Sequence, residues 1–144
     1  MNGSKDRMAI HALAVLNETL TGWSKAAAHW DARKLGTLYC EDACLFGGRP
    51  GHSTGRAEII RYFAGYENII LSASIKPLDQ EVLPLDQRLV IAQGYVEFEF
   101  VLGNRNTTKS LLRSTLVLKK EKDQWKISHH HFSSIPTTPP LGEQ

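Results

Sequence analysis

Between Asp6 and Trp30 apolar residues return every three or four positions, at Ile10, Leu13, Leu16, Leu20, Trp23, Ala27 and Trp30. That spacing puts them on one face of a single helix and predicts the face to be buried. Gly22, within the run, costs about 1 kcal/mol relative to alanine and marks a bend or a close approach by another segment. Asp31 is suited to cap a short second helix with Leu35, Leu38 and Tyr39 on its apolar side and Glu41 and Asp42 closing it. A brief apolar strand, Ala43 to Phe46, comes next. Gly47 to Gly55 then has the composition of a loop, with four glycines and a proline in nine residues. Thr54 can cap a third helix whose buried stripe is Ile59, Ile60, Phe63 and Tyr66 and which ends near Gly65.

Beyond this point the period changes from near four to two. Ile69 to Lys76, ended by Pro77, begins a series of strands continued by Arg88 to Leu102, Thr107 to Lys120 and Gln124 to Ser133. Gly103-Asn104-Arg105-Asn106 and Glu121-Lys122-Asp123 are the hairpin turns. Helices first and an antiparallel meander second predict an α+β fold, three N-terminal helices packed on one face of a curved, mostly antiparallel sheet. Residues 1–135 form one domain and 136–144 a polar, proline-rich, extended tail.

Alternation across a strand assigns the faces. In the last strand Trp125, Ile127, His129, His131 and Ser133 share one side, and Lys126, Ser128, His130 and Phe132 the other, so the three adjacent histidines cannot act together. A tight hairpin gathers Leu112, Ser114, Leu116, Ser128, His130 and Phe132 on that second side, and sets Arg113, Thr115 and Val117 near His131, His129 and Ile127 on the first. One strand earlier, Val96, Phe98, Phe100 and Leu102 call for a core, and Tyr95, Glu97, Glu99 and Val101 face away from it. A face carrying Glu97, Glu99, Arg113, His129 and His131 is self-complementary in charge and suits water or another subunit, which places the helices over the opposite face.

Composition narrows the classes of function only slightly. The 144 residues are 42% hydrophobic and 22% charged, enough for one core, and 17 Lys and Arg against 15 Asp and Glu leave a net charge of +2. No strong field points to nucleic acid or an anionic membrane. No stretch approaches the roughly 18 apolar residues that span a bilayer, and no signal core follows Met1 to Arg7, so a cytoplasmic location is expected. Cys40 and Cys44 are too few to staple a secreted fold and read as small core residues in a reducing compartment.

The run Trp125-Lys126-Ile127-Ser128-His129-His130-His131-Phe132-Ser133-Ser134-Ile135-Pro136 resembles the end of the calcium/calmodulin-dependent protein kinase II association domain. The likeness continues upstream through Asp31, Leu38 to Phe46, Gly55-Arg56 and Tyr62-Phe63, nearly the whole chain. The same residues, with Glu41-Asp42-Ala43 and Gly55-Arg56-Ala57-Glu58-Ile59, are similar to the SnoaL-like and SgcJ/EcaC proteins of the nuclear transport factor 2-like superfamily. The resemblance implies a cone of three helices on a curved sheet, a homo-oligomer built from dimers, and a pocket between helices and sheet. Three arginines characteristic of the association domain's pocket would fall at Val96, Leu116 and Phe132, none of them basic. The implied ligand is therefore small and largely apolar, and the chain has no kinase domain of its own.

His129 and His131, about 7 Å apart on one side of a strand, could share a zinc with His52, but two or three histidines without an acid favour structural or interface roles, and no metal or other cofactor is expected. Glu97, Glu99 and Tyr95 are the candidates for a ketosteroid-isomerase-like proton transfer, but they sit on the face away from the helices, where a salt-bridge ladder with Lys109 and Arg113 is the simpler reading. Arg113 lacks the aspartates an epoxide-hydrolase-like set requires. Gly51 to Arg56 lacks the spacing of a phosphate loop. Trp23 and Trp30 are core aromatics, with Trp30 also placed to line the cavity.

The expected pocket is lined by Val96, Phe98, Ser114, Leu116 and Phe132 from the sheet and by Tyr39, Trp30 and Phe63 from the helices, with His52 and Arg56 at the rim. The expected interface comprises Glu97, Glu99, Arg113, His129 and His131, and the partner is a second copy of the chain. The alternative is a small isomerase, cyclase or lyase with His130 as general base, oriented by Ser114. A scaffold whose cavity is collapsed on its own side chains is the third reading.

Overall fold

The computed structural model describes residues 3–143. Three helices, α1 (Gly3–Ala27), α2 (Ala32–Gly36) and α3 (Arg56–Ala64), cover one face of a six-stranded sheet. The strands are β1 (Tyr39–Phe46), β2 (Ser53–Thr54), β3 (Ile70–Asp86), β4 (Leu89–Leu102), β5 (Thr107–Glu121) and β6 (Gln124–Ser134), in the spatial order β2-β1-β6-β5-β4-β3. All neighbours are antiparallel except β1 and β6, which run parallel. This is the α+β arrangement, helices on one face of a curved and mostly antiparallel sheet, that the order of the periodicities predicts.

The buried stripe of α1 is Ala12, Val15, Leu16, Leu20, Trp23 and Ala27. Ile10 and Leu13, expected in the core, are instead 70% and 47% exposed. The line of close approach runs through the small Ala12, which lets the helix settle near the sheet and turns the two larger residues outward. Gly22 bends nothing: the helix continues past it, and a Cβ there would meet only Leu38 at an ordinary 3.7 Å. The helix stops at Ala27, and Trp30 adopts a positive φ of 32°, a conformation a bulky side chain rarely takes. Its indole Nε1 donates to the Phe63 carbonyl at 3.0 Å, a buried bond that helps offset that strain. Asp31 caps α2 as expected, its carboxylate accepting from the Lys34 N–H at 3.0 Å.

The second helix is shorter than its apolar pattern suggests. Tyr39 already belongs to β1, and Glu41 and Asp42 are exposed strand residues rather than a helix terminus. The unpaired edge of β6 overrides local preference: the Ile127 N–H bonds the Leu38 carbonyl at 2.8 Å, and Tyr39 lies opposite Ile127. α3 is capped by Gly55 at φ 86°, not by the Thr54 side chain. Instead Glu58 reaches back to accept from the Thr54 N–H at 2.9 Å. Ile59 and Phe63 are buried, and Ile60 and Tyr66 are half-buried.

Pro77 does not end β3, which continues to Asp86 through Pro84 as well. Both prolines are tolerated because β3 is an edge strand bonded only to β4. Ser24 fastens α1 to this edge: its hydroxyl accepts from the Ile75 N–H at 3.0 Å. The β5–β6 hairpin closes on Lys122-Asp123, with Glu121 opposite Gln124, and its register slips once, between Leu118–Ile127 and Val117–His129. Ser128 is the extra residue of that bulge. The bulge reverses the alternation, so Ile127 is buried with His130 and Phe132 instead of sharing a side with His129 and His131. Together with a turn one residue shorter than expected, it moves His131 opposite Thr115 and His129 opposite Val117, two positions along β5 from their expected partners.

A buried histidine in an aromatic interior

The bulge carries His130 into the space between helices and sheet, where the imidazole is only 1% exposed. Its walls are rings. Phe132 meets it edge-on at 4.9 Å, Phe98 lies 5.3 Å from Phe132, and Trp23 lies 5.6 Å from Phe98. Phe63 joins Trp23, Trp30 and Tyr39 at 5.8–6.2 Å between centroids. Val96, Leu116 and Phe132, the positions that would carry the association domain's arginines, are all buried in this layer.

One polar contact organises the interior. The Tyr39 hydroxyl lies 2.8 Å from His130 Nδ1, and the two rings stack at 25°. Tyr39 is held from behind by Arg56, whose Nε and Nη2 both donate to the Tyr39 carbonyl, at 3.1 and 2.8 Å. Burial raises the phenol's pKa far above its usual value, countered only partly by the nearby Trp23 indole N–H, so the hydroxyl keeps its proton. Burial lowers the imidazole's pKa to about 3, with a further push from the neighbouring His131, so His130 is neutral. The phenol can donate or accept, but Nδ1 is its one hydrogen-bond partner among the described residues, so the arrangement that uses the phenol's proton makes Nδ1 the acceptor and carries the imidazole's own proton on Nε2. His130 Nε2 and Trp23 Nε1 are both buried without a hydrogen-bond partner. The interior thus presents two unsatisfied N–H donors in an otherwise apolar box.

Of the expected lining residues, Val96, Phe98, Ser114, Leu116, Phe132, Tyr39, Trp30 and Phe63 are brought together in the buried layer around His130. Two are not. His52 is exposed and stacks on Phe46 at 4.4 Å, and the His131 ring lies 5.4 Å from the same Phe46 ring. Arg56 spends its guanidinium on the Tyr39 backbone rather than on a rim. Ser114 is buried opposite Phe132, two pairs along from Leu116 and His130, and the residue that orients the imidazole is Tyr39. Trp23 was read as core alone; only the fold shows that its N–H lies beside Tyr39.

The five expected interface residues share the outer face of the sheet but are strung along it: Glu97 is opposite Leu111, whereas His131 and His129 are opposite Thr115 and Val117, further along β5. Glu99 is opposite Lys109 and Tyr95 opposite Arg113. A groove of about 430 Å³ crosses this face, bounded by Asp79 and Glu81 on one side and by Arg113 and His131 on the other. Sequence patterning missed the two acids because β3 was expected to end at Pro77. Asp79 lies in the bulge between Leu78 and Glu81, with a φ of 48°. Among the described residues no three His, Cys, Asp or Glu side chains converge as metal ligands, and no helix is long and apolar enough to cross a membrane.

The sequence matches the model of the SnoaL-like domain over residues 16–138. A search of curated proteins returns no match. Among solved structures, one from Xanthomonas campestris, provisionally described as a calcium/calmodulin dependent protein kinase II association domain, superposes with a TM-score of 0.74 at 25% identity, covering 88% of this chain and 87% of that one. A nuclear transport factor 2-like superfamily protein from Salmonella enterica gives 0.70 at 21% identity over 97% and 100% of the two chains. A Novosphingobium aromaticivorans protein, provisionally described as a scytalone dehydratase, gives 0.72 at 12% identity over 96% and 99%.

Proposed function

Since this chain belongs to the SnoaL-like domain family of the nuclear transport factor 2-like superfamily, we propose that it is an association-type module that pairs through its outer sheet face and binds a small, largely apolar molecule in its interior. The observation that carries the reading is the orphaned Nε2 of His130. A buried donor left unmade costs about 1–3 kcal/mol, and folded proteins retain few of them. A ligand with a hydrogen-bond acceptor, such as a carbonyl or ether oxygen on a cyclic apolar body, would satisfy His130 and Trp23 together and stack on the surrounding rings. Phe132 and the half-buried Phe100 would swing aside to admit it.

The Tyr39–His130 hydrogen bond favours a second reading, a small isomerase-, cyclase- or lyase-like enzyme; two of the similar structures are provisionally described as dehydratases. An imidazole held neutral to about pH 3 is a weak general base. In such an enzyme His130 would serve better as the donor that holds a developing enolate oxygen, as neutral imidazoles can.

A thermal-shift screen of cyclic ketones, lactones and aromatic ethers tests the binding reading. At least one should raise the melting temperature of the native protein, and His130→Leu should abolish that rise. A full screen with no stabilising compound favours the collapsed scaffold.

A further inference from the structure

At the end of the molecule where α1 begins, a second concavity of about 340 Å³ opens between the helix and the tips of two hairpins, well separated in the fold from His130. Its apolar lining comes from Met8 and Ala12 of α1, Pro84 and Val90 of the β3–β4 hairpin, and Trp125 of β6. His11 meets Trp125 edge-on at 6.2 Å, so two flat rings stand at one wall. The charges at its rim are one-sided. Arg7, one helical turn before His11, and Lys120, next to the β5–β6 turn, bring two cations. Asp86 is the single carboxylate, and its Oδ1 is taken by the Arg88 N–H at 2.7 Å. The Arg88 guanidinium is itself turned to the carbonyls of Lys120 and Lys122, which fixes the hairpin tips that form the wall. Among the described residues no ion pair or hydrogen bond engages the side chains of Arg7 or Lys120.

We propose that this groove binds a small amphipathic anion, an aromatic or short acyl body carrying a carboxylate, sulfonate or phosphate group. The apolar part lies against Trp125, Val90 and Met8, and the anion meets Arg7 and Lys120. A volume near 340 Å³ is at the lower end of small-molecule sites and suits a two-ring body. Two unpaired cations over an apolar floor select for charge as well as shape, since partial desolvation strengthens the attraction that water would otherwise screen.

The test uses 8-anilinonaphthalene-1-sulfonate, a two-ring anion, and its uncharged relative N-phenyl-1-naphthylamine, each titrated into the full chain. The expected result is saturable binding of the sulfonate at one site per chain, weakened at least tenfold by Arg7→Gln with Lys120→Gln. The neutral probe should bind more weakly and ignore those substitutions. Trp125→Leu should weaken both probes, a second route to the same site that leaves the cations in place. Equal sulfonate affinity in the double variant would overturn the proposal, as would equal binding of the neutral probe. Binding confined to phosphatidylglycerol vesicles would replace it with a membrane surface. A ligand of the interior site would be insensitive to Arg7 and Lys120, so the two readings fail separately.

Discussion

The Tyr39 hydroxyl and His130 Nδ1, 91 positions apart in the chain, lie 2.8 Å from each other in a space otherwise lined by rings. Neither element's sequence, taken alone, pairs the two residues. Tyr39 arrives because β1 starts four residues earlier than its apolar run indicates, and His130 is beside it because Ser128 bulges.

Removing one partner of this pair should cost more than removing both. Tyr39→Phe leaves Nδ1 as unpaired as Nε2, and the loss should be about 1–3 kcal/mol. The double variant Tyr39→Phe with His130→Leu removes the buried imidazole altogether and should recover much of that loss. Urea unfolding of the two single variants and the double variant gives the coupling directly. Strictly additive losses would show that the hydrogen bond contributes nothing.

The same histidine makes stability fall in acid. Its pKa is about 3 in the folded chain against 6.5 in an unfolded one, so between those values the unfolded chain binds a proton that the folded chain refuses. Stability is therefore complete above pH 6.5 and declines as the pH drops toward 3, by at most about 1.4 kcal/mol for each unit. In His130→Leu this part of the decline should disappear. Urea midpoints at pH 7 and pH 5 check the difference, and parallel pH dependence in both proteins would contradict it.

What could be read from the sequence follows from where local pattern and tertiary demand agree. The strands β4 and β5 alternate cleanly, and their inward residues Val96, Phe98, Ser114 and Leu116 are buried as expected. Asp31 capped its helix because a cap is a local hydrogen bond. The misjudged positions were decided elsewhere in the molecule. Pro77 stayed in a strand because that strand is an edge, and Ile127 turned inward because one extra residue entered β6. His130 could be assigned to the helix-facing side from parity alone. Its partner could not, because the parallel pairing of β1 with β6 has no signature in either strand.

Gly94 tests the bulge in β3. A Cβ at this position would collide with the backbone of Asp79 and Gln80, atoms that cannot rotate away. Gln80 also donates its side-chain amide to the Tyr95 carbonyl at 2.8 Å, fixing the bulged segment against β4. Gly94→Ala should therefore destabilise the chain by about 1–3 kcal/mol, the range for overpacking a tight contact. A melting temperature equal to that of the native protein would mean that the bulge is free to shift.

The same bulge shapes the outer groove, whose acidic wall of Asp79 and Glu81 faces a basic wall of Arg113 and His131. Under a two-fold axis the same patch meets itself, so one copy's basic wall can lie against the other's acidic wall. Half-exposed Tyr95 and Leu111 add apolar area beside the charges. Light scattering at micromolar concentration should give twice the chain's 16.1 kDa. Arg113→Glu places acid against acid across the contact, a reversal that costs several kcal/mol at a close interface, and should yield monomers. Adding Asp79→Lys to that variant restores the complementarity with the polarity exchanged, and should restore the dimer. If the single charge reversal leaves the mass unchanged, the copies meet through another surface.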